Sequence, residues 1–178
     1  MNRSNFTRTS LRLKNTTIYR RAIEDGDMKI VKYLFENNCP WDEDICYIAA
    51  MFDRLEILKY AHRNGAQLNK KVFKRAVVTG NLDMVKYLFE NNCPRDVDIC
   101  TAAASNGHLD ILEYLYDNGC KMDEDICYIA ATKGYLNILK YAHLNRVPLR
   151  EKVCTVATIY GYVDILEYVH ANECPCKH

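Results

Sequence analysis

The feature that most constrains the fold of this chain is an internal repeat with a period of 27 residues. Whole segments recur in register: VKYLFENNCP begins at Val31 and at Val85, and DEDICYIAA begins at Asp42 and at Asp123. Tyr, Asn and Ala each hold one position in all six repeats, and Gly holds one position except at Asp53. A fixed period of this length is typical of arrays in which each repeat packs against its neighbours.

Each repeat is predicted to form two short helices, which we name helix A and helix B. In the second repeat, apolar residues at helical spacing predict helix A from about Asp42 to Met51 and helix B from about Leu55 to Arg63. Carboxylates in the first turn of helix A suit its free N–H groups, and Asn64-Gly65 suits the end of helix B. The helix pairs are expected to start near Thr16, Asp42, Asn69, Asp96, Asp123 and Arg150.

Helix pairs this short cannot bury their apolar faces alone, so neighbouring pairs are expected to stack. The sequence therefore predicts an all-α solenoid of six stacked helix–turn–helix repeats over residues 16–178. Residues 1–15 lie outside this array and are predicted to be irregular. The alternative is a degenerate cap in which Phe6 takes the Tyr position.

The charge balance argues against a nucleic-acid partner, since 24 basic and 23 acidic residues give a net charge of +1. No apolar run approaches the roughly 18 residues of a membrane span, so no membrane partner is expected. The segment 1–14 lacks the apolar stretch that a secretory signal requires. It contains Arg, Ser and Thr and no acidic residue, so a mitochondrial import signal remains an alternative.

Nine cysteines in a short chain raise the question of a disulfide framework. Three pairs are each seven residues apart at matching points of the repeat, namely Cys39 and Cys46, Cys93 and Cys100, and Cys120 and Cys127. A cysteine that recurs with the period of the fold is best explained as a small apolar side chain in a packing position. This pattern predicts a reducing, intracellular and cytoplasmic location.

Two clusters have ligand or acid–base side chains, but both have a structural explanation. His170, Cys174, Cys176 and His178 are zinc-ligand types, yet their spacing matches no standard zinc pattern and two of them fall in ordinary repeat columns. The triplets at Asp42 and Asp123 recur at a helix start. No phosphate-binding loop or nucleophile motif is present, so we expect no metal, no cofactor and no enzymatic activity.

Two segments resemble the ankyrin repeat: ASNGHLDILEYLYDNGC from Ala104 and NGAQLN from Asn64. The resemblance covers about residues 16–176, although this repeat has 27 residues where the familiar unit has 33. The missing residues fall where ankyrin repeats have a β-hairpin loop, so these loops are expected to be shortened or absent. The short form resembles ankyrin proteins of giant DNA viruses of amoebae, which implies an intracellular interaction module.

The columns that vary between repeats are the candidates for partner binding. The side of helix A opposite Ile45 and Ala49, which we name the helix A face, lines the concave groove by resemblance to ankyrins. Packing between repeats is the alternative explanation for each single residue. The candidate protein-binding residues are Trp41, Tyr47, Ile48, Met51, Phe52, Lys74, Arg75, Arg95, Thr101, Ser105, Tyr128, Ile129, Thr155 and Tyr160.

The predicted function is therefore non-catalytic binding of an unidentified partner protein, for example a host protein, along the helix A face. One alternative is an adaptor or regulatory subunit whose activity lies in its partner. Another is self-association through the terminal repeats, because the last helix B carries Ile165 and Tyr168 without an obvious polar cap.

Overall fold

The computed structural model describes residues 17–39 and 41–172, and all regular structure in this part of the chain is helical. Residues 1–15, for which the sequence predicts either an irregular segment or a degenerate cap, lie outside the described part. The chain divides into two compact units, Met1–Arg95 and Asp96–His178, named here the first and second unit. Within each unit the helices alternate between helix A and helix B, as the repeat predicts.

The described helices are short and regularly spaced. In the first unit they are α1 (residues 17–25), α2 (Met28–Glu36), α3 (Ile45–Met51), α4 (Leu55–Arg63), α5 (Lys70–Thr79) and α6 (Leu82–Glu90). In the second unit they are α7 (Ile99–Ser105), α8 (Leu109–Asp117), α9 (Ile126–Lys133), α10 (Leu136–Leu144), α11 (Glu151–Tyr160) and α12 (Val163–Ala171). Within each unit, helix A packs against its own helix B and against the next helix A, as α3 does with α4 and α5 and as α9 does with α10 and α11.

The predicted bounds of helix B in the second repeat, Leu55 to Arg63, are confirmed. The predicted start of helix A is wrong in three repeats. The helices α3, α7 and α9 begin about three residues after the predicted positions. A turn occupies the preceding residues, and in one of these repeats Asp123 Oδ1 accepts the N–H of Asp125 at 2.8 Å. This local bond competes with a helical turn. Asn69 instead caps α5 by accepting the N–H groups of Lys71 and Val72.

The Asn that recurs in every repeat ends helix B. In all six repeats its side-chain Nδ2 donates to the carbonyl oxygen of the recurrent Tyr four residues earlier, at 2.7 to 2.9 Å. This bond satisfies one of the carbonyl groups that a helix end leaves without a partner. The Asn column is therefore a structural requirement of the repeat.

The recurrent Tyr of helix B contacts the preceding repeat. In the first unit, Phe35 meets Tyr60 edge-on at 6.0 Å between ring centroids, and His62 Nδ1 lies 2.8 Å from Tyr87 Oη. In the second unit, His143 Nδ1 lies 2.9 Å from Tyr168 Oη, and Tyr116 packs edge-on against the next Tyr. Aromatic pairs of this kind add to the stabilisation from burial, so these tyrosines join neighbouring repeats within each unit.

Of the six cysteines predicted to fill packing positions, four are buried, and Cys39 and Cys120 are half-buried. Cys46, Cys100 and Cys127 are buried and free, and burial raises the pKa of each thiol to about 12. A buried thiol of this kind is protonated and unreactive at neutral pH. Cys154 holds the same position but is disulfide-bonded, an exception to the prediction of free cysteines.

Candidate functional site

The predicted binding residues fall into three groups by exposure. Ile48 was predicted to lie on the open side of helix A, but it is only 7% exposed and packs inside the first unit. Four of the residues are exposed: Lys74, Arg95, Thr155 and Tyr160. The remaining nine are half-buried: Trp41, Tyr47, Met51, Phe52, Arg75, Thr101, Ser105, Tyr128 and Ile129.

Trp41 packs inside an aromatic cluster of the first unit. Its ring stacks on Phe35 with centroids 4.2 Å apart and meets Tyr19 and Tyr60 edge-on, each at 6.3 Å. These contacts hold the loop before α3 against α2. The Trp41 side chain is therefore occupied by contacts within the first unit, and packing is a sufficient explanation for this candidate binding residue.

Arg95 repeats the arrangement of Trp41 two repeats later. Its guanidinium carbon lies 4.3 Å from the centroid of the Phe89 ring, and Phe89 holds the position that Phe35 holds in the first repeat. A cation over an aromatic face is a favourable contact. In these two repeats, the side chain of this column thus packs the loop onto the preceding helix B.

A groove with a volume of about 560 Å³ opens between α3 and α5 in the first unit. Its lining consists of four charged side chains, one aromatic ring and one aliphatic side chain. The residues around it are Asp44, Tyr47, Lys71, Lys74, Arg75 and Val78. Three of the predicted binding residues, Tyr47, Lys74 and Arg75, are brought together here.

Arg75 is oriented by the ring of the preceding helix A. Its Nη2 donates to Tyr47 Oη at 2.7 Å, and its guanidinium carbon lies 5.3 Å from the Tyr47 ring centroid. Both side chains are half-buried, whereas Lys71 and Lys74 on the same helix are exposed. The Tyr47 contact uses one of the five guanidinium N–H donors.

The equivalent place in the second unit, between α9 and α11, has a different charge arrangement. Tyr128 corresponds to Tyr47, and Lys152 lies 4.9 Å from the centroid of its ring. Lys152 also pairs with Asp125, and Arg150 pairs with Glu124. The cations of this surface are thus paired with carboxylates of the preceding repeat.

The other predicted residues of the second unit are dispersed. Ser105 donates its hydroxyl to the carbonyl of Thr101 at 2.7 Å, a bond within α7. Tyr160 is 55% exposed and stacks with Tyr162 at 6.1 Å between centroids, beside the exposed Ile159 and Val163. These four residues form an apolar patch at the turn between α11 and α12, named here the α11–α12 patch.

Three groove residues, Asp44, Lys71 and Val78, are not among the predicted binding residues. Asp44 and Lys71 lie at the beginning of helix A, where the sequence predicts a role in capping alone. Lys71 precedes Arg75 by four residues, a spacing that places two side chains on one side of a helix. This spacing was the signal that would have identified it.

Neither a metal centre nor a membrane span is found in the described residues. No group of three or more His, Cys, Asp or Glu residues in 17–39 and 41–172 is arranged to hold a metal ion. Of the predicted C-terminal cluster, only His170 lies in that range. Within the same range, no helix is both long and apolar enough to span a bilayer.

The repeated pairs of short helices, separated in five repeats by a glycine with a positive φ, define a class, the α-helical repeat proteins. A family model described as ankyrin repeats in three copies matches residues 9–101 and 73–143. The chain belongs to the ankyrin-repeat family, whose members generally act as protein–protein interaction modules and are typically not enzymes.

Among solved structures, the chain is similar to the crystal structure of the human ASB11 ankyrin repeat domain. The two are 19% identical with a TM-score of 0.63, and the match covers 72% of this chain and 69% of that chain. This similarity confirms the predicted ankyrin-like solenoid fold. The search of curated proteins found no match.

Proposed function

We propose that this chain is a non-catalytic, intracellular protein-binding module whose partner docks on the helix A face. The observation that carries this proposal is the α3–α5 groove, where Tyr47, Lys74 and Arg75 converge around a volume of about 560 Å³. Tyr and Arg are the residue types most often responsible for binding energy at interfaces. Neither side chain is required by the repeat, because other repeats place Thr, Ala or Val at these positions.

Replacing Tyr47 with alanine is expected to weaken partner binding by about ten-fold or more while leaving thermal unfolding nearly unchanged. The half-buried ring would leave the groove, and Arg75 would lose the contact that orients it. The measurement is affinity capture with the full chain, followed by mass spectrometry of the retained proteins. An amoebal lysate is the first choice, because the short repeat resembles those of giant viruses of amoebae.

A matched control is Tyr33→Ala, which removes an exposed tyrosine from helix B of the first repeat. Proteins retained by the wild type and by the control but lost with Tyr47→Ala would be specific partners. Equal retention by all three proteins would contradict docking at the groove. An enzyme among the specific partners would favour the adaptor or regulatory role.

Self-association is a second candidate, supported by the α11–α12 patch. Ile159 is 70% and Val163 62% exposed, whereas the leucines equivalent to Val163 in the four preceding repeats are half-buried. The Tyr162 ring covers Gly134, because an added Cβ there would lie 2.9 Å from it. Among the described residues, no atom lies within 4 Å of a Cβ added at Gly161. The patch is uncharged, so two copies can face each other about a twofold axis without repulsion.

The double variant Ile159→Glu with Val163→Glu is therefore expected to be monomeric where the wild type is dimeric. Two carboxylates on each copy would repel and would have to lose water on association. Light scattering coupled to size-exclusion chromatography, over a range of concentrations, measures the molar mass. A wild type that stays monomeric throughout would rule out this candidate.

A further inference from the structure

We infer that the partner segment bound in the α3–α5 groove is an acidic stretch of polypeptide, whose carboxylates pair with Lys71, Lys74 and Arg75. This inference rests on the proposed function and adds the chemistry of the partner. Three of the six groove residues are basic and one, Asp44, is acidic. The segment Lys70–Thr79 itself contains four basic residues and no acidic residue.

The geometry of the basic side chains suits carboxylates. Arg75 is held against Tyr47 by a hydrogen bond of 2.7 Å, so its orientation is largely fixed before a partner arrives. A planar guanidinium can donate two parallel bonds to one carboxylate. Lys71 lies one helical turn away and Lys74 is adjacent in sequence, which lets them receive neighbouring carboxylates as point charges.

The second unit shows that the fold does not require this charge. The segment DEDICYIAA begins at Asp42 and again at Asp123, so α3 and α9 present nearly the same surface. The helices that pack against them differ: Thr155 and Val156 replace Lys74 and Arg75. The basic groove is therefore specific to the first unit.

An acidic peptide fits these observations better than nucleic acid. Polyanion binding uses a track of cations that follows successive phosphates and is usually accompanied by a strongly basic net charge. Here the net charge of the chain is +1, and the cations of the groove surround one aromatic and one aliphatic side chain. Mixed apolar and charged lining is suited to a peptide that carries both kinds of side chain.

The test variant exchanges the two groove residues for those of the sixth repeat, Lys74→Thr with Arg75→Val. Because Thr155 and Val156 occupy the same positions in α11, the exchange is expected to preserve the fold. The control variant, Lys29→Thr with Lys121→Thr, removes the same two charges from exposed positions outside the groove. Thermal unfolding of both full-length variants verifies that they fold.

The probe is a library of short random peptides displayed on phage and selected against the wild-type chain. We expect enrichment of Asp and Glu in the selected peptides. The most enriched peptide, synthesised with a fluorescent label, should bind about ten-fold or more weakly to the groove variant and equally well to the control variant. Its affinity should also fall with added salt, because salt shortens the screening length below its physiological value of about 8 Å and so weakens attraction between exposed charges.

The possible outcomes separate this inference from the proposed function. Selected peptides without acidic enrichment that still lose affinity for the groove variant would overturn the acidic partner and leave groove binding intact. Acidic peptides that bind the groove variant normally would overturn the assigned site, and failure to select any peptide would overturn the inference as well. A labelled single-stranded oligonucleotide that binds more tightly than the peptide, in a groove-dependent way, would reassign the groove to nucleic acid.

Discussion

Replacing Phe73 with alanine is expected to lower the free energy of unfolding by about 3 to 5 kcal/mol. Phe73 is 0% exposed and is the largest fully buried side chain of the described residues. It lies in the middle of α5, which packs against both α3 and α6. Removing the ring leaves a cavity within the helix A layer, and the short helices around it are held in place largely by that packing.

Urea unfolding of the full chain, followed by circular dichroism, measures this loss. The control is the neighbouring substitution Lys74→Ala, which removes an exposed side chain from the same helix and is expected to change the free energy of unfolding by less than about 0.5 kcal/mol. Phe73 stands where four other repeats have cysteine, at Cys46, Cys100, Cys127 and Cys154. A near-neutral Phe73→Ala would mean that the first unit can repack around a small residue, as the cysteine repeats do.

The period of 27 residues was sufficient to predict the fold class, because a repeat that recurs six times leaves few architectures open. The period identified the Asn and Tyr columns as structural, but it did not show which groups each residue contacts. The Asn amide bonds within its own helix B, a local contact that helix geometry makes predictable. The Tyr ring contacts the preceding repeat, as His62 does with Tyr87, and such a contact depends on how the repeats stack.

The first turn of helix A could not be placed from composition alone. Carboxylates at Asp42 and Asp123 are compatible with a helix start and also with a turn. In the fifth repeat, Asp123 accepts the N–H of Asp125 and the helix begins one residue later, at Ile126. Asn69, at the equivalent position of the third repeat, caps its helix directly. The same position therefore precedes a turn in one repeat and a helix in another, depending on which backbone N–H groups its side chain accepts.

The candidate site was only partly predictable, for a geometric reason. Helical periodicity assigns residues to a side of helix A, but it does not show which side neighbouring elements cover. Ile48 was assigned to the open side and is buried, and Trp41 is stacked on Phe35 of α2. Arg75 and Tyr47 are 28 residues apart and lie in neighbouring repeats. Their hydrogen bond therefore cannot be predicted from the periodicity of either helix alone.

Replacing Arg54 with alanine is expected to destabilise the first repeat by about 2 kcal/mol or more. Arg54 precedes α4 and reaches back to the end of α1, where its Nε donates to Ile23 O at 3.2 Å and its Nη2 to Glu24 O at 2.7 Å. Its side chain also covers Gly26, because an added Cβ there would meet Nε at 3.1 Å. A cation at a helix C-terminus additionally offsets the negative end of the helix dipole.

The effect of Arg54→Ala should be local, since each repeat of an array is stabilised mainly by its neighbours. Hydrogen exchange read by mass spectrometry is expected to show faster exchange in α1 and α2, with α12 unchanged as the internal reference. Arg54→Lys serves as the matched variant: it keeps the positive charge but lacks the planar fork that bonds two carbonyls at once. If Lys protects α1 as well as Arg does, charge alone holds the first repeat. If Ala changes exchange equally in α1 and α12, the contact with Ile23 and Glu24 does not act locally, and the first unit unfolds together with the rest of the array.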